Sequence, residues 1–215
     1  MAKLSQEKTE ALLRRFGIPF PKRLPARNEE QAVLCARKLG YPVVLKVSSP
    51  DIVHKTDAGG ILVNLENDEE VRNGFRSIMK SAKKYNRKAR INGVDVFKMI
   101  PRGTELIVGL KKDPQFGPVI MFGLGGIFVE VLKDVSFRLA PLTRKDASEM
   151  IREIRGYKIL EGIRGEKPAN IKAIENTLLR FSDLVMKKPD IKELDINPLF
   201  AYDNKVVAGD VRIIV

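Results

Sequence analysis

Between residues 94 and 132 the chain offers four strand-like segments in quick succession, VDVFKMI, ELIVGLKK, PVIMFGL and IFVEVL, separated by glycine and proline turns. Strands joined by connections this short pair antiparallel, because a parallel crossover needs a dozen or more residues. The second half of the chain is therefore expected to rest on a largely antiparallel sheet. Two helices, near residues 144–155 and 170–186, should follow it, and KELDINPLFAY and VVAGDVRIIV should close the chain as further strands.

The first half reads differently. Ser5 is placed to cap a helix that carries Leu12, Leu13 and Phe16 and stops at Gly17. GIPFPKRLP, with three prolines, reads as a linker. Asn28 opens a second helix with the apolar stripe Ala32, Val33, Ala36 and Leu39, ended by Gly40. YPVVLKVSS and GILVNL read as strands, and Asn67 starts a third helix carrying Val71, Phe75, Ile78 and Met79. The fold class is thus α+β. One domain over residues 1–215 is expected, with a first lobe at 18–93, a second at 94–215, and a small-ligand cleft between them.

Composition sets limits on function. A chain of 215 residues buries about 70% of its unfolded surface on folding, and 44% apolar with 31% charged residues suits a folded protein. The apolar runs are too short for a membrane span or a signal segment, so a cytoplasmic protein is expected. Cys35 is the single cysteine and His54 the single histidine, which excludes an internal disulfide and a soft-ligand zinc site; any metal must be held by oxygen. The net charge of +12 is densest in KSAKKYNRKAR, residues 80–90. Tyr85 is the only aromatic there, whereas a base-stacking surface wants several. The run reads first as a solvated helix end, then as a surface for an acidic partner; nucleic acid is not expected.

Three groups of residues could carry chemistry. Lys46 interrupts the apolar run VVLKV, and a buried ammonium needs either an anion, such as a phosphate, or a route for its head to the strand end. The loop after it, SSPDIVHKTDAGGI, brings His54, Lys55, Asp57 and the pair Gly59-Gly60 between two strands. Paired glycines allow close approach to phosphate, or simply make a turn. No GxxxxGK[ST] run and no strand–GxGxxG–helix unit is present. In ELDINPLFAYDNKVVAGDV, Asp195 and Asn197 share one face of a strand and Asp210 lies on the next. A carboxylate and an amide oxygen suit magnesium, which keeps much of its water; the other reading is strand-end polarity around an Asn-Pro turn.

Taken together, YPVVLKVSSPDIVHKTDAGGI, GTELIVGLKKDPQFGPVIMFGLGGIFVEVLKDVSFRLAPL and ELDINPLFAYDNKVVAGDV resemble the ATP-grasp domain of ADP-forming acetyl-CoA (acyl-CoA) synthetases and, more distantly, the β-subunit of succinyl-CoA synthetase. The likeness runs from about Leu4 to the C-terminus. It implies a nucleotide-binding subunit in acyl-CoA + ADP + phosphate ⇌ acid + CoA + ATP, with Mg2+ as cofactor and ADP or ATP as substrate. It implies a CoA-binding α-subunit that carries the first phosphohistidine, in an α2β2 assembly, and a second phosphohistidine here at His54 of the VHK motif. By the same resemblance Lys46 contacts nucleotide phosphates, Gly59 and Gly60 cover them, and Met99-Ile100 offers hinge backbone to adenine. Glu105 falls at an acidic nucleotide-pocket position, Asn197 and Asp210 at magnesium ligands, and Asp195 at the acid that positions the incoming phosphohistidine loop. Lys98 stands where many ATP-grasp hinges have glutamate. Arg138 and Gly125-Gly126 lie in the most distinctive stretch, with no role beyond charge and turn. A free-standing carboxylate ligase and a non-catalytic nucleotide sensor are the alternatives.

Overall fold

The computed structural model describes residues 2–52, 54–126, 132–163 and 165–215. The expected strand IFVEVL falls, except for Leu132, outside the described residues, as does Val53 of the VHK motif. In chain order the elements are α1 (Gln6–Arg15), β1 (Arg23–Ala26), α2 (Glu29–Leu39), β2 (Val43–Ser48), β3 (Ile61–Leu65), α3 (Asp68–Tyr85), β4 (Gly93–Lys98), β5 (Thr104–Asp113), β6 (Gly117–Leu124), β7 (Val135–Leu139), α4 (Arg144–Glu153), α5 (Tyr157–Leu160), α6 (Ile171–Lys187), β8 (Glu193–Ala201), β9 (Val206–Ala208) and β10 (Val211–Ile214). They form two compact units: Pro21–Pro101, and the residues up to Phe20 together with Arg102–Val215.

Local chemistry starts the helices as the sequence leads one to expect. The side chains of Ser5, Asn28, Asn67 and Asn170 each accept a hydrogen bond from the backbone N–H three residues on, and Thr143 with Asp146 closes a capping box before α4. Each such cap is worth about 1 kcal/mol.

In the Pro21–Pro101 unit, four antiparallel strands lie in the order β1-β4-β2-β3. Alternation sends Val43, Leu45, Val47, Val94 and Val96 into one core with Ala32, Val33 and Ala36 of α2 and Val71 and Ile78 of α3. Each fully buried aliphatic side chain there stabilises by about 1.5–3 kcal/mol. Two expectations are corrected. VDVFKMI does not open the second lobe: β4 lies between β1 and β2, and its valines complete the first core. Part of the proline-rich linker is a strand, β1, on which Pro25 is tolerated because an edge strand needs no outward N–H donor.

The other unit holds the antiparallel order β10-β8-β5-β6-β7, with β9 also pairing β8. Its core face, including Leu106, Val108, Ile120, Phe122, Leu194 and Ile196, packs against α4 and α6 through Met150, Ile151, Leu178 and Phe181. The alternate residues form the opposite face. Arg138 on β7 acts as a strut, its guanidinium 2.7 Å from Glu153 of α4. Asp134 accepts the N–H groups of Arg155 and Gly156 at 2.7 and 2.8 Å, fixing the turn after α4.

Candidate active site

In the Pro21–Pro101 unit, Lys46 and Phe97 lie on the sheet face away from the helices. Lys46 is 9% exposed. It stands directly across from Asp95 of β4, and its ammonium is 5.1 Å from the centre of the Phe97 ring. Asp95, 2% exposed, is paired with Arg23 at 2.6 Å. The sequence marked Lys46 but not this setting, because Asp95 and Arg23 come from β4 and from the supposed linker.

His54 is exposed at the start of a turn held firmly on both sides. Ile52 before it and Ala58 after it are buried in the core. Asp51 accepts the backbone N–H of Arg90 at 2.7 Å and two guanidinium bonds at 3.1 and 3.0 Å. Those bonds push the Asp51 carboxyl down to about 2, below its ordinary value of 3.8. The folded pKa is depressed, so the anchor's contribution is complete above about 3.8 and is lost as pH falls through about 2. Protection of the Ala58 and Gly59 amides, relative to the unfolded chain, is expected to fall across that interval, and Asp51→Asn to show the lower protection already at neutral pH. Equal protection in the two proteins at pH 7 would show that the pair does not hold the turn.

The glycine pair has a packing reason. A Cβ on Gly60 would fall 2.5 Å from Val47 Cγ1 and 3.0 Å from the Lys55 carbonyl oxygen, and Gly59 adopts φ +59° against Ser81. The Gly59 N–H donates to Thr56 O at 2.9 Å and the Gly60 N–H to Lys55 O at 2.7 Å. Both amides are therefore satisfied within the turn, and in this arrangement neither is aimed at a ligand.

At the hinge, the Met99 N–H donates to Pro42 O at 3.2 Å, and the Lys98 ammonium bonds Gly40 O and Tyr41 O at 2.9 and 2.8 Å. Lys98 thus neutralises the carbonyl end of α2 and fixes the backbone leading into Met99-Ile100. A carboxylate in its place would meet the same two oxygens.

In the second unit, Glu105 is the second residue of β5 and is exposed. Gly125 and Gly126 fold around it: the Gly125 N–H donates to Glu105 O at 2.7 Å, and a Cβ on Gly126 would lie 3.3 Å from Glu105 Oε2. This is the role the sequence did not supply for the pair. Glu105, Leu124, Gly125, Gly126, Lys167 and Tyr202 help line a cavity of about 770 Å3.

On the sheet face opposite the core, Asp195 and Asn197 of β8 meet Asp210, which lies just before β10 rather than on it as expected. Asn197 donates its backbone N–H to Asp210 O at 3.1 Å, so the two residues sit side by side where the ladder breaks at Pro198, which has no N–H. Burial holds the Lys3 ammonium below the ordinary lysine range, opposed by the attraction of Asp210 and aided by repulsion from Arg212. Asp195 is bound by Arg212, whose Nη2 and Nε donate to one carboxylate oxygen at 2.7 and 3.2 Å. A Cβ on Gly109 of β5 would lie 3.3 Å from the other carboxylate oxygen, so glycine there leaves Asp195 room. Arg212 and Gly109 are functional candidates the sequence did not flag; the only signal was the spacing of Arg212 behind Asp210. Among the described residues no cluster of three or more His, Cys, Asp or Glu side chains could hold a metal by itself.

The whole chain, residues 1–215, matches the family model for the ATP-grasp domain. It is 53% identical over 211 residues to the β subunit of acetate–CoA ligase [ADP-forming] I of Pyrococcus furiosus, covering 98% of this chain and 91% of that one. Of two longer relatives, the 4-hydroxybutyrate–CoA ligase [ADP-forming] of Nitrosopumilus maritimus and the acetate–CoA ligase [ADP-forming] I of Archaeoglobus fulgidus, it spans 29% and 30%. Among solved structures it is similar to the dinucleotide forming acetyl-coenzyme A synthetase 1 of Ca. Korarchaeum cryptofilum in complex with coenzyme A, Ca-AMPCP and HgCl+, with TM-score 0.97, 45% identity, and 100% and 93% of the two chains covered. The same enzyme in complex with coenzyme A and Mg-AMPPCP, its phosphohistidine segment pointing towards the nucleotide binding site, aligns with TM-score 0.86, 42% identity, and 99% and 92% coverage.

Proposed function

Since this chain belongs to the ATP-grasp family, alongside the β subunits of ADP-forming acetate–CoA ligases, we propose that it is the nucleotide-binding β-subunit of an ADP-forming acyl-CoA synthetase. The reaction is acyl-CoA + ADP + phosphate ⇌ acid + CoA + ATP. The observation that carries this reading is His54, the sole histidine of the chain, exposed on a turn pinned by Ile52, Ala58 and the Asp51–Arg90 pair.

An imidazole nitrogen of His54 attacks the phosphorus of a phosphohistidine on the partner subunit. A P–N bond forms at His54 as the partner's P–N bond breaks, and that electron pair returns to the partner's ring. A terminal phosphate oxygen of ADP then attacks the same phosphorus, forming the P–O bond of ATP and releasing neutral His54. Lys46 supplies charge to the nucleotide phosphates. Gly59 and Gly60 let the turn lie close to them without donating their own amides. Met99-Ile100 takes the adenine edge through backbone groups other than the Met99 N–H, and Glu105 meets the nucleotide in its pocket. Asp195, oriented by Arg212, receives the partner's phosphohistidine loop.

The donor set fits magnesium: Asn197 and Asp210 offer hard oxygen ligands side by side, leaving other positions to water and phosphate. Bound there, Mg2+ would offset charge on the phosphates. Asn197→Ala and Asp210→Ala are each expected to raise the magnesium concentration for half-maximal activity about tenfold. Asp195→Ala should lower transfer from the partner at saturating magnesium instead. A common magnesium dependence for all three variants would contradict this division of roles.

The partner is a CoA-binding α-subunit carrying the first phosphohistidine, joined with this chain in a cytoplasmic α2β2 complex. No helix among the described residues is long and apolar enough to cross a membrane. The purified chain should bind Mg-ADP in a calorimetric titration yet form no acyl-CoA, and activity should appear when the α-subunit is added. Acyl-CoA formation by the chain alone would overturn the subunit reading.

A further inference from the structure

The basic run at residues 80–90 has no part in the chemistry above, and its cations are set apart from others on the same helix. Nearer the start of α3, Arg72 is 2.8 Å from Glu30 and Arg76 is 2.7 Å from Glu29. At the far end of the run, Arg90 is held by Asp51 at 3.0 Å. Lys80, Lys83, Lys84, Arg87 and Lys88 are all exposed and make no ion pair among the described residues. Unpaired like charges gathered this closely repel one another, and only Lys83 and Lys84, in the last turn of α3, are placed to offset this through the carbonyl end of the helix.

Their position relative to His54 is specific. The Cβ of Ser81 lies 3.2 Å from where a side chain on Gly59 would begin, so the turn that carries His54 rests on the last turns of α3. Ala58 shares a core with Ile78 and Ala82 of α3, and Asp51 ties the chain just before His54 to Arg90. Lys84 lies about one helical turn beyond Ser81 on the same side, with Lys80 next to it, whereas Lys83 projects from the far side, about 200° round the helix from Ser81. Lys88, beyond the end of α3, lies two residues before Arg90, which Asp51 holds, so the run lies along the segment that carries His54. Tyr85 is the only aromatic residue within it, which gives no stacking platform for bases.

Resting on the reading of His54 as phosphoryl acceptor, we infer that Lys80, Lys84 and Lys88 form the docking rim for the partner's phosphorylated segment. The feature recognised is the phosphoryl group that this segment bears, and the rim steers it onto His54. A phosphoryl group carries close to two negative charges, about −1.5 to −2 near neutral pH. An exposed field of opposite sign raises encounter rate and fixes orientation without entering the chemical step.

The test compares two donors to His54 in the reconstituted two-subunit complex: the α-subunit phosphorylated from acyl-CoA and labelled phosphate, and Mg-ATP. Combined Lys80→Glu, Lys84→Glu and Lys88→Glu is expected to slow labelling from the α-subunit about tenfold or more, and to flatten its dependence on salt. Labelling from Mg-ATP should stay within about twofold of the parent. The milder triple change to glutamine should fall between, and Lys83→Glu alone should have little effect; both guard against misfolding as the cause. Transfer from the α-subunit within twofold of the parent would overturn the rim, as would an equal loss from both donors. Failure of the parent to label His54 from either donor would remove the premise as well, and is distinguishable because it precedes any substitution. Salt-sensitive retention of RNA or DNA by the parent, abolished in the triple variant, would assign the patch to nucleic acid instead and refute the proposal.

Discussion

Replacing His54 by asparagine is expected to lower overall turnover by about a thousandfold or more, while affinity for Mg-ADP changes less than about twofold. The split follows from position. His54 is exposed, and the contacts that hold its turn come from Ile52, Ala58, Asp51 and the two glycines, so the fold does not depend on the imidazole. Asparagine keeps a polar side chain but no nucleophilic ring nitrogen. In the complex, the α-subunit should still become phosphorylated from acyl-CoA and phosphate, with the label trapped there and none passing to ADP. The parent adduct on this chain should be acid-labile and stable to alkali. ATP synthesis near the parent rate by the His54→Asn complex would refute the relay.

The second large effect is expected at Lys46. Lys46→Ala should weaken Mg-ADP binding by roughly ten- to a hundredfold, the loss of one charge-assisted contact to phosphate, about 1.5–3 kcal/mol. A buried lysine is a hazardous place for such a test, since its removal can strand a buried carboxylate and unfold the protein. Here Asp95, the residue opposite, retains Arg23 at 2.6 Å. The structural cost then includes the contact with Phe97 and the lost packing of the lysine stem, but no stranded Asp95. Titration calorimetry beside a thermal melt separates the two quantities. Unchanged affinity with a large drop in melting temperature would make Lys46 a structural residue.

Much of the local architecture was legible because it is decided within a few residues. Ser5, Asn28, Asn67 and Asn170 cap their helices through bonds reaching three positions along the chain, and Gly17 and Gly40 take the positive φ that follows a helix end. The apolar run VVLKV marked a strand, and the two-residue spacing of Asp195 and Asn197 put them on one side of β8. The identity of His54 as the sole histidine needed no structure at all.

Partnerships between distant residues lay beyond the sequence, because a charge or a glycine is explained by whatever the fold brings against it. Asp95 meets Arg23 across 72 residues, and Asp195 meets Arg212 across 17, so neither partner could be read from neighbouring residues. Strand membership was misjudged for the same reason: VDVFKMI has the right pattern for either sheet, and only the vacancy between β1 and β2, filled by Val94 and Val96, assigns it to the first. Local pattern determined which residues form strands and helices and which carry reactive groups, since those choices follow from backbone geometry and side-chain chemistry alone. Tertiary packing decided which strand lies beside which, why Gly60 is crowded by Val47 and Lys55, and which cation holds Asp95 and Asp195, because those depend on distances in space that the order of residues does not contain.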